Sequence, residues 1–177
     1  SSRMKRLATF LFIAFFLVSG DSYGQFLIPG EGIMDVKLGA DWDEIEWELG
    51  FRGEKLSYEQ ASSEFKLIAK NAGIDFDYLV KYNHIMWLPV SDLLFKDDKV
   101  CMIQLSSYPE YNQMISADIG TTEGLNFWDT PVEIKKVYGQ FRSIPNGDKT
   151  IVLINEKGLG VELSENEVRT MFIFQPK

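Results

Sequence analysis

Two stretches of the chain repeat one order of apolar and polar positions. Gly32-Ile33 leads to Leu38 and then to Asp41-Trp42-Asp43-Glu44-Ile45-Glu46-Trp47-Glu48-Leu49-Gly50. Gly124-Leu125 leads to Phe127 and then to Thr130-Pro131-Val132-Glu133-Ile134-Lys135-Lys136-Val137-Tyr138-Gly139. At an offset of 89 residues Glu44 falls on Glu133, Ile45 on Ile134 and Gly50 on Gly139. Each stretch predicts a short helix, over 42–49 and 131–138. Asp41 and Thr130 suit the N-cap, Glu44 and Glu133 complete capping boxes, Pro131 suits the first helical position, and the glycines suit the residue just past the end.

Each helix is followed by hairpin patterns. Leu93 to Phe95, a polar turn at Lys96 to Lys99 and Val100 to Leu105 match Val161 to Leu163, a turn at Ser164 to Glu167 and Val168 to Phe174. The second half adds Thr150 to Ile154, with turn signals at Asn146-Gly147 and Glu156-Lys157-Gly158. The first half carries extra residues between helix and hairpin. Ser57 and Gln60 form a third capping box, and Tyr58, Ala61, Phe65, Ile68, Ala69 and Ala72 share one arc, which predicts an inserted helix at about 58–72 closed by Gly73. Ile74 to Leu88 then reads as one or two strands. The fold expected is α+β: two tandem helix-plus-antiparallel-strand repeats, about 30–110 and about 118–177, with the helices packed on one face of the sheet.

Upstream of the repeats, Arg3, Lys5 and Arg6 precede an apolar run from Leu7 to Val18, and Ser22-Tyr23-Gly24 puts small residues before Gln25. That is the layout of a cleavable secretory signal peptide, 1–24, leaving 25–177 as a single exported domain. The apolar run is shorter than the ~20 residues that cross a bilayer as a helix, so no membrane span is expected after cleavage. Without the three basic residues and Asp21 the domain has 15 basic and 25 acidic residues, a formal charge of −10. Such a field repels nucleic acid and anionic lipid. Cys101 is the single cysteine, so an exported domain of this kind relies on its core and not on an internal disulfide.

The capped helices, with Gly32-Ile33, Leu38, Glu44-Ile45 and Leu49-Gly50 answered by Gly124-Leu125, Phe127, Glu133-Ile134 and Tyr138-Gly139, resemble the β-lactamase-inhibitor-protein-like fold and the small outer-membrane assembly lipoproteins of its fold group. The chain lacks the disulfides of the former and the lipid-bearing cysteine of the latter. The resemblance implies a protein that binds other proteins through a sheet face and is not a catalyst.

Candidate chemistry is sparse. The one histidine, His84, lies in a strand-like stretch, no nucleophile, phosphate-loop or metal motif occurs, and no cofactor is expected. Asp41, Asp43 and Glu44 read as first-turn acids, Asp97 and Asp98 as turn residues, and Asp75 and Asp77 as one wet strand face. The aromatic residues point further. Trp42, Ile45 and Leu49 share a helix face, which leaves Trp47 either covered by the inserted helix or free as a recognition anchor. Trp128 stands where the first half has Gly39, and Trp87, Tyr108 and Tyr111 are further binding candidates. The reading is an exported binding module whose partner is another envelope or secreted protein. The alternatives are a carboxylate hydrolase of an envelope polymer and a carrier of a small apolar ligand in a closed pocket.

Overall fold

The structure, a computed structural model, describes residues 25–33, 36–49, 53–82, 91–107 and 120–177. The signal-like segment and its cleavage site lie outside them, as do His84, Trp87, Tyr108 and Tyr111. No helix among the described residues is long and apolar enough to cross a membrane.

Most apolar runs form strands. In chain order the elements are β1 (Gln25–Ile28), β2 (Gly32–Ile33), β3 (Val36–Lys37), α1 (Trp42–Leu49), β4 (Glu54–Ser57), α2 (Ser63–Ala72), β5 (Tyr78–Tyr82), β6 (Ser91–Lys96), β7 (Lys99–Ser106), β8 (Gly120–Thr121), α3 (Pro131–Tyr138), β9 (Arg142–Asn146), β10 (Lys149–Ile154), β11 (Leu159–Ser164) and β12 (Glu167–Phe174). An eight-stranded antiparallel sheet runs β4-β5-β6-β7-β12-β11-β10-β9. A mixed four-stranded sheet runs β3-β2-β1-β8, its β1–β8 pair parallel.

Both faces of the large sheet are apolar. One row, Val80, Leu93, Ile103, Ile173, Leu159 and Ile154, crosses six strands and belongs to the core that also holds Ile45 of α1, Ile134 of α3 and Leu27, Ile33 and Val36 of the small sheet. The next row, Leu79, Leu94, Met102 and Phe174, faces the other way and packs with Phe65, Ile68, Ala69 and Ala72 of α2. Because side chains alternate across a strand, uninterrupted apolar runs such as Met171-Phe172-Ile173-Phe174 require cover on both sides.

The expected fold class is therefore corrected. The chain is mostly β, with three α-helices among the described residues, and it is not a pair of helix-plus-strand repeats with all helices on one face. α1 and α3 lie on one side of the large sheet and α2 on the other. The Trp47 side chain, expected to be either covered by the inserted helix or free, lies outside the described residues.

The inserted helix is also shorter than its apolar arc suggests. Ser57 and Gln60 do exchange hydrogen bonds, the Ser57 N–H donating to Gln60 Oε1 at 2.9 Å, but they close an isolated turn. α2 starts later, where Ser62 Oγ accepts from the Phe65 N–H at 3.3 Å. At the start of α1 the Asp41 carboxylate pairs with Lys99 at 3.0 Å. The box at α3 is formed: the Thr130 N–H donates to Glu133 Oε2 at 2.8 Å. The Asp97-Asp98 and Glu165-Asn166 turns have φ between 50° and 63°, as two-residue hairpin turns require. Asp75 and Asp77 precede β5 and both bind Lys96, at 2.9 Å each.

α1 docks on an aromatic corner. Its Trp42 ring meets Phe95 edge-on at 5.3 Å, and Phe95 stacks on Tyr78 at 5.0 Å with the planes 8° apart. The Tyr78 hydroxyl donates to Asp98 Oδ1 at 2.7 Å, so the turn beside the corner is fixed as well.

Candidate functional site

The loops that lead into α1 and α3 make the same two backbone bonds to the large sheet. The Gly39 N–H donates to Val100 O at 2.8 Å and the Val100 N–H to Ala40 O at 3.0 Å. In the other loop the Trp128 N–H donates to Val168 O at 2.9 Å and the Val168 N–H to Asp129 O at 2.8 Å. Both loops need a left-handed residue there, with φ of 83° at Gly39 and 73° at Trp128. Glycine adopts that conformation freely. An L side chain costs roughly 1–2 kcal/mol there.

Opposite this loop the ladder between β11 and β12 shifts. Glu162 pairs with Thr170 and Leu163 with Val168, which leaves Arg169 as the extra residue of a bulge. The Arg169 guanidinium lies over the Trp128 ring, 3.5 Å from its centroid. Arg169 Nη2 donates to Glu167 at 2.7 Å and approaches Glu165 at 3.8 Å, and its carbonyl accepts from the Ser107 N–H and Oγ–H at 2.8 and 2.9 Å. Its Nε–H is buried without an acceptor. A strained tryptophan and a bulged arginine thus meet, and strain of this kind concentrates at functional sites. Trp128 is half-buried against the core, so its ring is braced.

Of the other sequence candidates, Trp47 stands on α1, but its side chain lies outside the described residues. Trp87, Tyr108 and Tyr111 lie wholly outside them. The residues that sequence reasoning passed over are Arg169, Asp92 and Glu162. Arg169 was hidden because a bulge breaks strand alternation. Asp92 and Glu162 occupy positions that read as outward-facing, yet both are buried. Burial pushes the Asp92 carboxyl up to about 6 against the pull of Lys81, and its Oδ1 accepts no hydrogen bond.

Cys101 is half-buried, and its thiol donates to Leu94 O at 3.3 Å. Burial pushes it up to about 12, so little thiolate exists at neutral pH. Reaction with a disulfide reagent at pH 8 is expected to be slow in the folded protein and complete within minutes in denaturant. Equal rates would show an accessible thiol. Among the described residues no group of three or more His, Cys, Asp or Glu side chains is placed to hold a metal ion. An open groove of about 530 Å³ lies outside α2, between Tyr58, Lys66, Lys70 and Phe76, and it is not the closed pocket a carrier of an apolar ligand would need.

No family model and no curated protein matches the chain. Among solved structures it is similar to an extracellular protein containing a SCP domain from Bacillus anthracis str. Ames, with 10% identity and a TM-score of 0.43, over 78% of this chain and 44% of that one. The chain spans less than half the length of that protein. Neither fold nor function follows from a similarity this low.

Proposed function

We propose that this chain is an exported, non-catalytic interaction module that engages a partner protein around Trp128 and Arg169. The observation that carries this reading is the tryptophan at φ 73°, in a loop position that glycine fills in the other lead-in. A folding requirement alone would favour glycine there. Tryptophan and arginine are also the side chains that most often dominate binding energy at protein interfaces. Export is supported by the basic start, short apolar run and small residues at 1–24, and the partner is then another envelope or secreted protein.

The hydrolase reading has less support. A glycosidase needs two carboxyls about 5–9.5 Å apart around an open cleft, whereas the strongly raised acids Asp92 and Glu162 are only 6% and 3% exposed.

Trp128→Gly tests the interaction reading, because glycine keeps the loop conformation. The variant is expected to melt within about 2 °C of the parent, since relief of backbone strain offsets the lost ring contacts. It should also lose at least tenfold in affinity for a protein that the parent captures from envelope or secreted fractions. Equal capture by a folded Trp128→Gly variant would place the interface elsewhere.

A further inference from the structure

We propose that the first turn of α2 is latched to the large sheet by a proton held between Glu64 and Glu162, which seats the helix in acid and loosens it in alkaline solution. This inference does not depend on Trp128. Glu162 projects from β11 toward α2 and is 3% exposed. Glu64 of α2 lies within hydrogen-bonding reach of it, and Lys149 of β10 reaches both carboxyls, at 3.2 Å to Glu162 and 3.8 Å to Glu64. The other neighbours add no compensating charge. Thr170 of β12, opposite Glu162, is neutral, and Asp148 in the β9–β10 turn draws on Lys149.

With both glutamates ionised, two negative groups share one ammonium, and Glu162 Oε2 is left buried with no donor. A proton on Glu162 supplies that donor to Glu64 and leaves one carboxylate against one lysine. The proton resides on Glu162, which is the more buried of the two. Burial first, then hydrogen bonding and repulsion from Glu64, push the Glu162 carboxyl up to about 7 against the pull of Lys149. A carboxyl raised on folding contributes stability in acid, and that stability is lost as the pH rises through about 7. The proton then leaves to solvent, and the repulsion falls on the turn whose apolar anchor is Phe65.

The test uses amide exchange and thermal melting of the full chain between pH 6 and 8.5. Asp92→Asn serves as the background, to remove the other buried titrating acid. In that background, exchange at residues 65–69, corrected for intrinsic base catalysis, is expected to rise toward tenfold per pH unit as the pH climbs to about 7 and to level off above it, with the midpoint falling by roughly 4 °C across the range. Adding Glu162→Gln should flatten both profiles, because its amide donates permanently. Glu64→Gln, on a more exposed helix position, removes the repulsion but not the burial, so it should move the rise to lower pH, and it decides the matter if the first variant does not fold. An unchanged profile in a folded variant, a flat background profile, or an equal rise at β10–β12 amides would overturn the latch.

Discussion

Phe95→Ala is expected to lower stability by about 3–5 kcal/mol, the range for truncating a buried phenylalanine. The residue is fully buried, stacks on Tyr78 and receives the edge of Trp42, so truncation opens a void beneath α1 as well as within the sheet. Native domains hold only ~5–15 kcal/mol in total, so a large part of the margin goes with one ring. For a chain of this length the midpoint should fall by roughly 10 °C, and the near-ultraviolet signal of Trp42 should weaken at temperatures where the variant is still folded. Phe95→Leu, which keeps most of the volume, should cost about a third as much. A Phe95→Ala midpoint within 2 °C of the parent would mean that α1 is not anchored there.

Gly158→Ala is expected to be at least as damaging, for a backbone reason. Gly158 has a φ of 66° and follows the short 3-10 turn at Asn155–Lys157. A Cβ there would stand 2.1 Å from Phe174 O and 2.9 Å from Gly30 Cα. Neither atom is the mobile end of a side chain. The Gly158 carbonyl also accepts from the Gly30 and Phe174 N–H groups at 3.3 and 3.0 Å, so movement breaks the junction between the small sheet and the end of β12. A loss of about 3 kcal/mol or more in denaturant unfolding is expected. Gly147→Ala is the control. It has a similar φ of 63° but no atom within 4 Å of the added carbon, so it should cost ~1 kcal/mol. Equal losses at the two positions would show that the turn conformation, not crowding, sets the effect.

Local punctuation made α1 and α3 legible from the sequence. Pro131 and Gly139, or Asp41 and Gly50, mark the ends of eight residues of helical pattern, and apolar runs on either side of polar turns located the β6–β7 and β11–β12 hairpins. The side of the sheet on which α2 packs was harder to read. Its clue lay in the strands, where Leu93-Leu94-Phe95 and Met171 to Phe174 have no wet position and so need cover on both faces. The small sheet left no periodic trace, because β2, β3 and β8 have two residues each and their partners are distant, as in the Gln25–Gly120 pair. β9 is masked by Pro145 and by exposed Arg142 and Ser143. At the candidate site Trp128 stood out by its counterpart Gly39. Arg169 could not be read the same way, because only the three-dimensional pairing shows which residue a bulge expels.

Pro145 has a further effect through its place in β9, the outermost strand of the large sheet. A proline has no amide hydrogen, so a visiting chain that tried to extend the ladder would find a donor missing from the rim. The opposite rim, β4, carries exposed Glu54 and Lys55, charges that a stacked copy would have to bury. A molecule built largely of strands therefore has two borders ill-suited to templating fibrils, so its copies can be crowded together without their sheets joining edge to edge.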